Sequence, residues 1–290
     1  MRVVFAGTAA FARPSLDRLV DSGHDVALVV TQPDRPAGRG LRPRLSPVKL
    51  RATELGLPVY QPDRIRDPTA QIRLLATKPE LLVVVAYGQI LPPSLITAPS
   101  LGTLNVHASL LPRHRGPAPV EWAILGGDAQ TGVTTMQMDA GVDTGPILLQ
   151  RQVEIGPRET APELEGRLAE AGARLLIETI SGIQQGRVKP APQPAVGATH
   201  ARRLSSEDGK LDPTTMSSVE IDRRVRALSQ RLGTWMMIDG VSLKVLRGHP
   251  DGETDDGVAV FTADGRYVIE EVQPPSGRHM SAGAWRRGRR

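Results

Sequence analysis

Short aliphatic runs alternate with segments of helical length from the N-terminus to about residue 185. Residues 3–6, 26–30, 81–86, 102–107, 133–138 and 147–155 have the composition of buried strands. Between them, Leu16, Leu19 and Val20 share one face of a segment that stops at Gly23, the residue type expected just past a helix end. Ser46 followed by Pro47 reads as an N-cap with proline in the first turn, opening a helix that ends at Gly56. Pro92 and Pro93 start another short helix. Residues 163–183 form the longest periodic segment, with Leu164, Leu168, Leu175 and Ile180 on its apolar stripe. Strands alternating with helices predict an α/β domain, a mostly parallel sheet with crossover helices.

The pattern changes after that helix. From Lys189 to Gly197 the chain reads Lys-Pro-Ala-Pro-Gln-Pro-Ala-Val-Gly, whose prolines favour extended geometry and no packed element. A helix over 218–231 follows, and then four short strands at 235–238, 241–246, 258–262 and 267–272, the signature of a small antiparallel barrel. The expected organisation is a first domain over 1–188, a linker over 189–206 and a barrel domain over 207–290. The most apolar run, 81–86, falls far short of the roughly 20 residues of a spanning helix, and the first residues lack a signal peptide's basic and apolar regions. A cytoplasmic protein is expected, and a monomer.

Composition excludes some chemistry. The chain has no cysteine, which removes disulfides, thiolate metal sites and a cysteine nucleophile. The net charge of +5 is ordinary for a soluble protein and says little about nucleic acid. The turn after the first strand carries the single Gly7 where a dinucleotide site would have three glycines before a helix, and no Walker pattern is present. Chemistry is therefore sought at the carboxyl ends of later strands. There, Asn105 and His107 are two apart and face one side of a strand. An amide beside an imidazole suits acyl transfer to an amine: Asn hydrogen-bonds a developing oxyanion, and His moves a proton near neutrality. By itself an N-x-H pair is more often a polar strand end satisfied by loop backbone. A glycine-rich loop at 136–146 holds two carboxylates, of which Asp139 has the turn-former's place and Asp143 is the candidate to orient the imidazole.

Taken together, Phe5-Ala6-Gly7-Thr8, the stretch from Gln32 to Gly40, Ser46-Pro47-Val48-Lys49, Val84-Val85-Ala86-Tyr87-Gly88, the stretch from Asn105 to Gly116 and that from Gln137 to Gly145 resemble the methionyl-tRNA formyltransferase family. The resemblance is dense over residues 1 to about 185 and looser beyond. It implies a Rossmann-like formyltransferase domain followed by an OB-like barrel. It also implies Asn105, His107 and Asp143 as the catalytic set, Ser109, Leu110, Leu111 and Pro112 as contacts of the formyl donor 10-formyltetrahydrofolate, and no metal. The implied reaction formylates initiator methionyl-tRNA for translation initiation. Relatives that formylate sugars or other small amines share the motif, so the alternative acceptor is a small amine or amino sugar. A non-catalytic folate- or RNA-binding protein on the same fold is a third reading, opposed by the intact triad. The tRNA reading rests on residues 35–53, which carry Arg35, Arg39, Arg42, Arg44, Lys49 and Arg51 and no acid. Arg35, Arg39, Arg42 and Lys49 are the expected phosphate contacts. Departures from the family's pattern fall in the second domain, at 229–235 and at Asp212-Pro213.

Overall fold

The central aliphatic runs are buried from end to end because they form the inner strands of a sheet covered on both faces. The computed structural model describes residues 1–37, 42–250, 252 and 256–289, the side chains of 36, 37 and 42–44 excepted. In chain order the first elements are β1 (Arg2–Gly7), α1 (Arg13–Asp21), β2 (Asp25–Val30), β3 (Arg35–Ala37), β4 (Arg42–Arg44), α2 (Pro47–Glu54), β5 (Val59–Tyr60) and α3 (Pro68–Leu75). Then follow β6 (Leu81–Val85), α4 (Pro93–Thr97), β7 (Thr103–His107), α5 (Pro119–Gly126), β8 (Gln130–Gln137), β9 (Ile147–Glu154) and α6 (Ala161–Gln184). The last are α7 (Ser218–Leu228), β10 (Trp235–Ile238), β11 (Val241–Pro250), β12 (Val258–Phe261), β13 (Arg266–Gln273), β14 (Met280–Ser281) and α8 (Ala282–Arg287).

Two compact units result. The first comprises residues 1–116, 131–153 and 165–200; the second comprises 117–130, 154–164 and 201–290. The chain thus contributes two early segments to the second unit, a division that no local pattern announces.

In the first unit the strands stand in the order β5-β2-β1-β6-β7-β8-β9. Strands β5 through β7 run parallel and β8 is antiparallel to β7. The chain leaves β1 toward β2 and β5, then returns to its other side for β6 and β7, so the strand order reverses beside β1. In open sheets of this kind, ligands bind outside the carboxyl ends of the strands at that reversal. Burial of Val4, Ala6, Leu28, Val30, Leu82 and Val84 against Leu74, Leu91 and Leu95 holds one face, each large side chain contributing roughly 1.5–3 kcal/mol. Helix α2 begins as its sequence predicts: the Ser46 hydroxyl accepts from the Lys49 N–H at 3.1 Å. Leu164, Leu168, Leu175 and Ile180 are buried on α6, as their spacing predicts.

The proline-rich stretch is extended, as its prolines dictate, but it is not free of contacts. Ala191 and Ile147 exchange both backbone hydrogen bonds at 2.8 Å, and the Arg115 N–H donates to the Thr199 carbonyl at 2.9 Å. Within the basic stretch, 35–37 pairs antiparallel with 42–44, with Arg35 opposite Arg44 and Pro36 opposite Pro43.

The second unit is a curled antiparallel sheet of order β10-β11-β13-β12, with β14 on β13. It forms a half-barrel of the OB-like kind around Met236, Leu243, Val245, Tyr267, Ile269 and Val272, closed by Ile221 and Val225 of α7 and Trp285 of α8. Helix α7 stops three residues before the expected Arg231. The Leu232 and Gly233 N–H groups both donate to the Leu228 carbonyl at 3.0 Å, and Gly233 takes a left-handed φ of 84° that turns the chain away. Among the described residues no helix is long and apolar enough to cross a membrane.

A reciprocal cap in this unit makes its stability pH-dependent. Arg202 donates to both oxygens of Asp208, at 2.5 and 3.0 Å, and the Ser205 N–H donates to Asp208 at 2.8 Å. The Arg202 bond first, and then the Ser205 donors, hold the Asp208 carboxyl well below the usual carboxylate range. A lowered folded-state pKa gives stability that is full above the unfolded value, near 3.8, and lost as the pH falls through the folded one. Asp208→Asn is expected to cost about 1–2 kcal/mol at pH 7. Denaturant melts of both proteins from pH 7 to 2.5 should show the difference shrinking below about pH 4; a difference constant over that range would rule the ion pair out as its source.

Candidate active site

Strands β6 and β7 are parallel neighbours, with Val84 opposite Asn105. That register sets the turn Ala86-Tyr87-Gly88 beside His107 at the carboxyl ends of the strands. Alternation along β7 sends Asn105 and His107 to one face and Val106, buried, to the other. Asn105 is half-buried, and its amide engages no described residue. His107 is buried, and its Nε2 lies 2.9 Å from the His114 carbonyl oxygen. A carbonyl only accepts, so the proton of the neutral ring sits on Nε2 and Nδ1 presents a lone pair. The Asp143 Oδ2 lies 3.6 Å from that Nδ1. This is too long for a hydrogen bond, and it leaves the carboxylate facing that edge of the ring. The same Oδ2 accepts from the Gly116 N–H at 2.8 Å.

The loops that make these contacts are braced from within. His114 adopts a φ of 57°, which aims its carbonyl at His107, and its N–H donates to the Thr199 hydroxyl at 2.8 Å. Thr134 on β8 donates to the Ser109 carbonyl at 2.6 Å and accepts from the Leu111 N–H at 3.1 Å, while Gln150 donates to the Leu111 carbonyl at 2.9 Å. Asp139 turns the second loop, as its place in the sequence suggests, accepting from Gly141 N–H and the Thr144 hydroxyl at 3.0 and 2.8 Å. Asp143 has a φ of 52°. Gly145 has to be glycine, since a Cβ there would stand 1.8 Å from the Gln137 carbonyl oxygen. The carbonyls of Asp143 and Gly145 both accept from Nε2 of Gln193, each at 2.8 Å.

The structure brings Asn105, His107 and Asp143 together. Of the four residues expected to touch the formyl donor, Ser109, Leu111 and Pro112 are buried, and the Ser109 hydroxyl is spent on the Arg113 carbonyl at 2.6 Å. Only Leu110 retains surface. Among the expected phosphate contacts, Arg39 lies outside the described residues, as does the side chain of Arg42. Arg35 is exposed, with Nη2 3.3 Å from Gln32 Oε1. Lys49 forms an ion pair with Asp34, and Arg51 is held by Asp17 and Glu54. The stretch without acids thus meets its acids in three dimensions. His114, Gly116, Thr134, Gln193 and Thr199 were not legible as site residues. Their contributions are backbone groups or braces, and Gln193 reaches Asp143 across fifty positions of sequence.

Comparison with known proteins agrees over both units. Residues 1–180 match the family model described as formyl transferase, and residues 203–290 match that of the formyl transferase C-terminal domain. A protein of Nitrosospira multiformis named methionyl-tRNA formyltransferase is 43% identical over 97% of this chain and 93% of its own. One of the same name from Halorhodospira halophila is 45% identical over 100% of this chain and 96% of its own. Among solved structures, HypX from Aquifex aeolicus in complex with tetrahydrofolic acid superposes with a TM-score of 0.69 at 17% identity, over 98% of this chain and 46% of that one. The sugar 3N-formyl transferase WlaRD gives 0.68 at 19%, over 96% and 99%. At such identities the two structures speak for the fold alone.

The Lys49 pair is open to direct measurement. The Lys49 bond first, and then Gln61, pull the Asp34 carboxyl below its ordinary range. Lys49→Met is expected to move the Asp34 titration upward, because burial, which raises it, then outweighs the bond that Gln61 donates to Oδ1 at 2.9 Å. Carboxyl NMR titration reads this out, and an unmoved Asp34 would show that Lys49 is not its partner.

Proposed function

We infer that the chain, which belongs to the methionyl-tRNA formyltransferase family, transfers a formyl group from 10-formyltetrahydrofolate to the α-amino group of initiator methionyl-tRNA. One observation carries the chemistry: an amide, an imidazole lone pair and a carboxylate converge at the end of one strand. When bound, the folate supplies an activated formyl carbon for the amine to attack. The Asn105 amide hydrogen-bonds the formyl oxygen as negative charge grows there. His107 Nδ1 takes the proton that the amine loses, the Asp143 carboxylate stabilises the resulting imidazolium, and the same proton would pass to the donor nitrogen as its bond to the formyl carbon breaks. Nε2 stays bonded to the His114 carbonyl throughout, so the ring keeps its orientation while its charge changes.

The crevice fits the donor in kind. A pteridine is flat, apolar on its faces and lined with donors and acceptors on its edges. At the end of β6, Thr8 and Gln32 both donate to the Tyr87 carbonyl, at 2.8 and 3.0 Å, and fix a turn from which Ile90 projects 85% exposed. Val142, beside Asp143, is 63% exposed. Apolar side chains beside loop backbone are what such a ring requires. The 109–112 loop is proposed to border the donor, with Leu110 its one part-exposed side chain and Ser109 its internal brace.

The acceptor reading rests on near-full-length likeness to proteins of that name and on the hairpin at 35–44. There Arg35, Arg39 and Arg42 are proposed to meet phosphates of the acceptor stem, with Lys49 a fourth contact once Asp34 releases it. Translation initiation places the protein in the cytoplasm.

The direct assay is formylmethionine production from 10-formyltetrahydrofolate and charged initiator tRNA, and its absence would refute the reading. His107→Ala is expected to lower kcat by roughly 10² to 10⁴ with donor binding little changed; near-normal turnover would remove His107 from the chemistry. Replacing Arg39 and Arg42 with alanine should raise the apparent KM for tRNA and flatten its salt dependence, by about 0.9 in log-log slope per lost phosphate contact on a duplex. An unaltered slope would leave the hairpin without a role in docking.

A further inference from the structure

The segment 191–200 has one inward-facing member. Every residue from 191 to 200 is exposed except Gln193, which is half-buried. Its amide is fully used. Nε2 donates to the carbonyls of Asp143 and Gly145, both at 2.8 Å. Oε1 accepts from Nε and Nη2 of Arg115, at 3.0 and 2.6 Å. One side chain therefore ties the backbone that carries Asp143 to the residue immediately before Gly116, whose N–H holds the Asp143 carboxylate.

We propose that Gln193 is a positioning residue for formyl transfer, acting through Asp143. The physical need is plain. Asp143 is a non-glycine residue in the left-handed region, a conformation that persists only where its surroundings over-determine it. Its carboxylate must stand beside His107 Nδ1 without moving off when the ring becomes charged. The Gly116 N–H grips one oxygen, and Gln193 grips the backbone on both sides of Thr144, so side chain and main chain are fixed from different directions. The amide is the group that does this: its NH₂ end meets two carbonyls while its oxygen meets a guanidinium. A carboxylate at 193 would satisfy Arg115 and repel both carbonyls, and an alanine would satisfy neither. Thr199, in the same segment, makes the matching contact on the other loop by accepting from His114, whose carbonyl orients His107.

The proposal rests on the reading of Asp143 as part of the catalytic set, and its test separates the two. Gln193→Ala is expected to lower kcat about 10- to 100-fold, as displacements near 1 Å do, with KM for donor and tRNA within about twofold. Gln193→Glu, which keeps the Arg115 contact, should be at least as slow. In an Asp143→Ala background, Gln193→Ala should cost nothing more, the mark of two residues acting as one. Amide exchange gives a readout independent of turnover: protection of the Gly116 N–H should fall alike in Gln193→Ala, Gln193→Glu and Asp143→Ala, while amides of β6 stay protected. Unchanged kcat in both Gln193 variants would overturn the proposal, as would a loss that adds fully to that of Asp143→Ala or appears only in KM for tRNA. Full activity of Asp143→Ala alone would instead overturn the role given to Asp143.

Discussion

The bond from His107 Nε2 to the His114 carbonyl sets the terms for the rest of the site. Giving Nε2 to a backbone acceptor decides the tautomer of the neutral ring. Nδ1 is thereby the basic atom, and it faces Asp143. The requirement passes outward. His114 can aim its carbonyl inward only in a left-handed conformation, and that conformation is held by Thr199. Two residues on, the Gly116 N–H is turned toward Asp143. The run after β7 is thus a backbone device for orienting two side chains.

Three non-glycine residues in the left-handed region around one site, Ala86, His114 and Asp143, are a cost the fold has to offset. It does so with side-chain amides and hydroxyls rather than with apolar packing: Gln193 for the Asp143 loop, Thr199 for His114, Thr134 and Gln150 for the loop at 109–111. Such groups define angles as well as distances, which apolar contacts do poorly. The site's rigidity thus comes from loops tied to β8, β9 and the 191–200 segment, on a strand whose own position is set by burial.

Charge is distributed on the same principle. Along the chain, residues 35–53 form an uninterrupted cationic stretch. In space Lys49 meets Asp34, and Arg51 meets Asp17 and Glu54. Neutralising the helical end leaves the basic character to the hairpin, where the strands pair Arg35 with Arg44 and Ala37 with Arg42. Counting the cations of 35–53 overstates the charge available to a polyanion, because Asp34 and Glu54 at its ends and Asp17 of α1 pair with them.

The sequence by itself determined strands β1, β2 and β6 to β9 and helices α1, α2, α4 and α6 of the α/β unit, the N-cap at Ser46, the placing of Asn105 and His107 on one strand face, and Asp139 as a turn residue. Each follows from periodicity or from a side chain bonding its own neighbourhood, interactions whose range is a few residues. The family motifs added Asp143, whose spacing alone was weak. Only the tertiary structure decided which residues orient the triad, which cations stay available, and that 117–130 and 154–164 belong with the barrel unit. Gln193 shows why. It lies among prolines that rightly predict an extended chain, and nothing local distinguishes it from a linker residue. Its role exists because the fold brings the loop after β8 beside the run after β7, where a single amide can bond carbonyls 50 and 48 residues away. Sequence patterns record what a residue does to its neighbours along the chain, and these contacts are made with neighbours that only the fold supplies.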